Sequence, residues 1–200
     1  MDILGDAIDT LIEEKNLRKT WILMIIIFGI AGVAIVLSYN YIMNSFIGQY
    51  LQSQSSQIKQ IEQNFEGGNS IYLLPFVIFG NNIKTAIITW LSSLTIIIPI
   101  LIVAFNGGLV GFVLPLALQT QPTEPSLVMF YLLVPHGAIE IPSVTLVAST
   151  FILMVNKGPL KMYKSSFGLL ILSIILLAVA AVIESFLTRV IASMVYSIIT

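Results

Sequence analysis

The sequence predicts an all-α, polytopic helical membrane protein of about five transmembrane helices, with broken helices and a first helix extended outside the membrane. Three observations predict it. Hydrophobic residues make up 57% of the 200 residues and charged residues only 10%, where soluble domains carry about a quarter charged. The mean hydropathy is +0.98. Several apolar runs reach the roughly 20 residues that cross a hydrocarbon core, and the chain holds no polar material to wrap them in water. The lipid bilayer is therefore the first partner. A formal net charge of −1 gives no reason to expect nucleic acid. With no cysteine in the chain, disulfides, thiolate metal sites and cysteine nucleophiles are excluded.

The elements follow in order. Residues 1–19 form an amphipathic helix on the cytoplasmic side. Leu4, Ala7, Ile8, Leu11 and Ile12 recur at helical spacing opposite Asp2, Asp6, Asp9 and Glu13. The acidic polar face suits docking on a partner better than binding anionic lipid. Met1 to Glu14 is acidic and no small-residue cleavage site follows the first apolar run, so the N-terminus is not read as a cleavable signal.

Residues 20–66 hold the first transmembrane helix and an extramembrane helical extension. Trp21 marks one interface, and Lys15, Arg18 and Lys19 before it place the N-terminus in the cytoplasm. Beyond Met43, the residues Ile47, Leu51, Gln54, Ile58, Ile61 and Phe65 alternate gaps of four and three, as in a coiled-coil seam. The seam predicts a homo-oligomer or a membrane-protein partner.

Residues 67–200 are read as a bundle of broken helices. Breaks are expected at Gly80-Asn81-Asn82, at Asn106-Gly107-Gly108 and at Pro135-His136-Gly137. The spans run from about Ile83 to Ala104, from the break at Asn106-Gly107-Gly108 to about Leu118, over Leu127 to Val155, and from about Phe167 past Val182. Lys157, Lys161 and Lys164 form a second basic cluster. Five crossings put both clusters in the cytoplasm and the C-terminus outside, in a multi-pass protein of the cell membrane.

Polar groups at membrane depth cost about 2.5 kcal/mol or more, which makes each a site candidate. His136 and Glu140 are four apart and share one face of a helix. Pro135 and Pro142 lack backbone donors and Gly137 is conformationally loose, so a break there exposes backbone groups that must line a cavity or lie buried in protein. Asn106, Gly107 and Gly111 combine an amide with small residues for close packing. Asn81 and Asn82 read first as caps of the following span. Lys84 and Glu184 fall in the same half of the membrane and are candidates for an ion pair, and Arg189 for an interfacial anchor. His136 is the only histidine, and HGAIE lacks the second histidine of a zinc protease helix. No metal, no cofactor and no catalytic residue are expected.

The segments FGNNIKTA (Phe79 to Ala86), FNGGLVG (Phe105 to Gly111) and VPHGAIEIPSV (Val134 to Val144) together resemble the stage II sporulation protein M family of multi-pass membrane proteins. Pro135 to Glu140 is the most specific part, and the resemblance covers about Ile71 to Thr200. It implies that Asn82, Asn106, Gly107, Pro135, His136, Gly137 and Glu140 form the family's polar centre. It also implies a scaffold role like that of the namesake, which brings cell-wall hydrolases to the engulfing membrane of spore formers.

Three functions compete. A scaffold or assembly subunit, not an enzyme, fits the seam, the acidic N-terminal helix and the resemblance, and is the reading the sequence favours. A transporter or channel-like protein would use His136 and Glu140 to bind a proton, an ion or a polar ligand in a cavity between broken helices. An intramembrane enzyme needs a second reactive group beside His136, and no motif supplies one.

Overall fold

The structure, a computed structural model, describes residues 3–46, 48–50, 53, 74–120 and 125–183, with residues 74, 116–120, 125–136 and 159–162 by backbone alone. The described residues form the helices α1 (Ile3–Glu13), α2 (Lys15–Leu37), α3 (Tyr39–Met43), α4 (Leu74–Ser92), α5 (Ile97–Thr120), α6 (Pro125–Ser149), α7 (Phe151–Lys157) and α8 (Pro159–Val182). Among the described residues, four stretches are long and apolar enough to cross a membrane: Lys15–Leu37, Ile97–Pro115, Gly137–Lys157 and Tyr163–Val182. Helix α4, at 19 residues, has the length of a fifth, but Asn81, Asn82 and Lys84 make it more polar. The chain is an all-α, polytopic membrane protein.

The three expected breaks are not where the sequence put them. Helix α4 runs through Gly80, Asn81 and Asn82, α5 through Asn106, Gly107 and Gly108, and α6 through Pro135, His136 and Gly137. The reason is energetic. Glycine costs a helix only about 1 kcal/mol relative to alanine. Backbone groups left open in hydrocarbon cost several kcal/mol each, so a glycine or an asparagine is carried within the helix.

The chain turns instead where hydroxyls replace the lost helical bonds. Between α4 and α5, the hydroxyls of Ser92 and Ser93 donate to the Thr89 carbonyl at 2.7 and 3.0 Å. Thr95 donates to the Ser92 carbonyl at 2.8 Å. Between α6 and α7, Ser149 donates to the Leu146 carbonyl at 2.7 Å, and Thr150 Oγ1 lies 2.7 Å from the Val147 carbonyl and 3.1 Å from Ser93 Oγ. The two hydroxyl turns thus meet inside the bundle, and Ser93, Ser149 and Thr150 are fully buried. Gly158 makes the α7–α8 turn at φ +85°, a conformation that glycine adopts without steric cost.

The tightest helix pair is α2 with α5. A Cβ on Gly107 would lie 2.2 Å from the Phe28 carbonyl oxygen, and one on Gly111 2.2 Å from that of Gly32. Glycines four apart lie on one helix face and let two backbones meet, as small residues do between membrane helices. Contacts of Phe28 with Gly107 and of Gly32 with Gly111 keep the same order along both chains, so α2 and α5 run parallel.

Trp21 joins helices: its Nε1 donates to the Pro142 carbonyl at 2.9 Å and lies 3.2 Å from Thr145 Oγ1. Trp90 Nε1 likewise donates to Ser166 Oγ at 2.7 Å, within a group of rings that includes Tyr163 and Phe167.

Helix α1 ends at Glu13, and Lys15 to Lys19, assigned by sequence to the same helix, already begin α2. Its apolar face docks on the chain's own α8. Ala7 is buried with Leu17, Leu146, Leu153 and Leu169, and Gly168 leaves room for Ile3 and Ala7. Lys164 pairs with Asp6 at 2.6 Å and Lys157 with Glu14. The two basic clusters therefore sit at the same end of the bundle.

Candidate functional site

A cavity of about 270 Å³ opens between α2, α4, α5 and α6. Its polar lining comes from Asn81, Asn82 and Thr85 on α4, Asn106 on α5 and Glu140 on α6. Gly137 lies beside Glu140, and Phe28, Leu109, Val110, Ile141 and Val144 complete the wall. Its depth follows from the helix bounds. Phe28, Asn82, Asn106 and Glu140 each stand within one helical turn, about 5.4 Å, of the midpoint of α2, α4, α5 and α6 respectively. The cavity is thus near the middle of the bundle along its length.

Local structure positions each group. Asn81, Asn82 and Thr85 share a face because α4 is continuous and residues three and four apart are neighbours. The Thr85 hydroxyl donates to the Asn81 carbonyl at 3.2 Å, which leaves its oxygen able to accept. Asn82 is buried at 8% exposure. On α5, the Asn106 side-chain amide donates to the Ile102 carbonyl at 2.8 Å. That bond fixes the side chain along its own helix and leaves the amide oxygen and one N–H for other partners. Glu140 is half-buried. Hydrogen-bonding groups are thus spread over three helices around a wall that is otherwise apolar, as in many ligand sites.

Of the residues singled out from sequence, Asn82, Asn106, Gly137 and Glu140 line this one cavity. Gly107 does not; it is spent on the contact with Phe28. Pro135 and His136 lie in α6, their side chains outside the described residues. Asn81 and Asn82 do not cap a span, since α4 begins at Leu74. Lys84 is exposed and does not line the cavity. Glu184 and Arg189, and with Glu184 the expected ion pair, lie outside the described residues, as do the seam residues Ile47, Leu51, Ile58, Ile61 and Phe65. Among the described residues no three metal-binding side chains cluster. Thr85 was missed; its place four after Asn81 and three after Asn82 would have revealed it, had α4 been read as unbroken.

The chain is 26% identical to an uncharacterized protein of Methanocaldococcus jannaschii over 220 aligned positions, which cover 98% of this chain and 97% of that one. No solved structure matches. The family model described as stage II sporulation protein M matches residues 20–189, and so takes in the first span as well as the cavity-lining helices. With most of its length matched, the chain belongs to the stage II sporulation protein M family.

Proposed function

We propose that this protein is a multi-pass membrane protein of the cell membrane that binds a small polar or charged ligand in its mid-depth cavity, in the manner of a transporter or channel. The observation that carries the reading is the convergence of Asn81, Asn82, Thr85, Asn106 and Glu140 on one space. Polar groups at that depth oppose insertion unless they serve packing or a ligand. Here they face a volume large enough for several waters, since one needs only about 10–15 Å³ of such space. The chemistry is binding and release, with no covalent step.

The orientation proposed places the N-terminus in the cytoplasm. It is supported by the two basic clusters, which the ion pairs of Asp6 with Lys164 and of Glu14 with Lys157 bring to one end. With α4 counted as a span there are five crossings, and the C-terminus lies outside.

A second reading, the scaffold or assembly subunit, keeps the support of the family's namesake. Its homo-oligomer or membrane-protein partners would engage the seam residues Ile47, Leu51, Ile58, Ile61 and Phe65, which lie outside the described residues. Its other support from sequence, the amphipathic α1, has an occupant within the chain, because α1 packs on α8.

Flux measurement in proteoliposomes separates the two. Ligand passage predicts proton or ion flux that Glu140→Gln reduces sharply while the protein remains folded. Equal flux in the presence and absence of the protein, together with a stable oligomer in detergent, would favour assembly.

A further inference from the structure

We infer that α1 lies where the bundle, the bilayer and the water meet, and that its uncovered apolar edge, Leu4, Ile8 and Ile12, is seated among the lipid chains of the adjoining leaflet. Its depth follows from its neighbours. Helix α1 is joined to α2 through the single residue Glu14, and the apolar stretch Lys15–Leu37 begins at the next position. On α8, Gly168 leaves room for Ile3 and Ala7. Gly168 stands five residues inside the stretch Tyr163–Val182, about 7.5 Å along the helix at roughly 1.5 Å per residue. Helices that lie in a membrane surface are buried about 5–10 Å into the boundary of headgroups and acyl chains. Helix α1 is held at that depth by the chain's own span.

The side chains around α1 divide to match. At about 100° per residue they fall into three sectors. Ile3, Ala7, Thr10 and Leu11 form the one toward the bundle, where Ala7 is fully buried and Leu11 packs on the same apolar cluster. Asp6, Asp9 and Glu13 form an acidic sector. Asp9 and Glu13 are exposed, and Asp6 reaches from its edge to Lys164. Leu4, Ile8 and Ile12 form the third, and they are 36%, 44% and 63% exposed. The sector centres stand about 120° apart. A helix with one side on protein and the rest in water needs only an apolar and a polar sector. One lying between protein, lipid and water needs a second apolar sector, and α1 has it.

The occupant of that edge is the bilayer by continuity with the lipid-facing surface of the same chain. Helix α2, which begins one residue beyond α1, exposes Ile22, Leu23 and Ile26 within a membrane span. The acidic sector is turned away from the apolar edge. Seating therefore rests on apolar burial and not on attraction to anionic headgroups, unlike surface helices with a basic polar face.

The test uses the full chain in nanodiscs. The chain has no cysteine, so Leu4→Cys, Ile8→Cys, Ile12→Cys, Asp9→Cys and Glu13→Cys each carry one nitroxide label. Its relaxation is measured with oxygen, which concentrates in lipid, and with a water-soluble nickel chelate. Labels at 4, 8 and 12 should be reached by oxygen and shielded from nickel, and those at 9 and 13 the reverse, in zwitterionic and anionic lipid alike. Nickel reaching 4, 8 and 12 as readily as 9 and 13 would place the edge in water. Shielding from both reagents would mean that a protein surface, a second copy or another chain, covers it. Either result overturns the inference, as does a lipid pattern that appears in anionic bilayers alone.

A second measurement avoids the bulk of the label. The same five thiols, unlabelled, are treated with a charged, membrane-impermeant maleimide. Those at 4, 8 and 12 should react at least about tenfold more slowly than those at 9 and 13, since the reactive thiolate is disfavoured in apolar surroundings. Equal rates would overturn the lipid seating of α1.

Discussion

The close approach of α2 and α5 gives the sharpest prediction. Alanine at Gly107 or Gly111 would place a Cβ 2.2 Å from a carbonyl oxygen of α2. A comfortable carbon–oxygen approach between helices is about 3.3 Å, so α2 and α5 must separate locally by roughly 1 Å. The obstructing atoms are backbone and cannot swing aside. Overpacking of this kind costs about 1–3 kcal/mol, against which the better helix propensity of alanine returns at most about 1 kcal/mol.

The structure supplies its own controls. A Cβ at Gly29 or Gly80 meets nothing within 4 Å, and one at Gly32 approaches the Gly107 carbonyl at 3.0 Å. Alanine should therefore be neutral or stabilising at 29 and 80, mildly costly at 32, and destabilising by about 1–2 kcal/mol at 107 and 111. The assay is unfolding of the purified protein by SDS in mixed micelles, followed by the fluorescence of Trp21 and Trp90, which bridge α2 to α6 and α4 to α8, so that Trp90 still reports when Trp21 is replaced. Equal midpoints for alanine at 29, 107 and 111 would refute the close pairing of α2 with α5.

Other contacts make smaller, separable predictions. Trp21→Phe keeps the ring but removes the donor to the Pro142 carbonyl, and should lower stability in the same SDS titration by about 1 kcal/mol. Gly158→Ala forces a Cβ into a backbone conformation at φ +85°, ψ 146° that is almost exclusive to glycine, at a cost of about 1–3 kcal/mol, although no atom stands in its way. Gly168→Leu should dislodge α1, because the added side chain meets Ile3 and Ala7; proteolysis should then cleave ahead of Lys15 sooner than in the parent chain. Asp6→Asn should leave that cleavage nearly unchanged, since Asp6 and Lys164 are both about half exposed and such pairs contribute about 0–1 kcal/mol.

The fold class was legible in the sequence because composition alone forbids a soluble chain, and hydrophobic length sets the spans. The helix limits were harder to read. Glycine, asparagine and proline signal turns in water, where open backbone groups are solvated. In lipid the same residues at 80–82, 106–108 and 135–137 stay helical. The turn at Ser92–Thr95 and the helix interruption at Ser149–Thr150 use short hydroxyls that bond the backbone carbonyls of the preceding turn, a signal that turn rules for soluble chains underrate, while Gly158 makes its turn as glycine does in water. Of the cavity, Asn82, Asn106 and Glu140 stood out as costly polar groups at depth, whereas Asn81 was read as a cap and Thr85 was passed over. Both misreadings came from placing a helix start where α4 is in mid-course. The convergence of the three helices was not visible in one dimension, since it depends on which faces α4, α5 and α6 turn toward one another.

Continuous helices also explain how a cavity survives at the centre of a bundle that packs closely elsewhere. On α5, Gly107 and Gly111 form the face laid against α2, while Asn106 and Val110, one position earlier on the helix, line the cavity. The two faces are adjacent, so the glycines that draw α2 inward also fix the angle at which Asn106 looks across to α4 and α6. Phe28 takes part in both: its carbonyl meets Gly107, and the residue borders the cavity. Close packing and open space are thus two consequences of one helix contact. It follows that Gly107→Ala should alter the cavity as well as stability. Combined with Thr85→Cys, it should change the rate of thiol modification under conditions where the protein is still folded, whereas Gly29→Ala in the same background should not. Equal rates in the two backgrounds would mean that the α2–α5 contact and the cavity are independent, and that Asn106 is held by its bond to Ile102 alone.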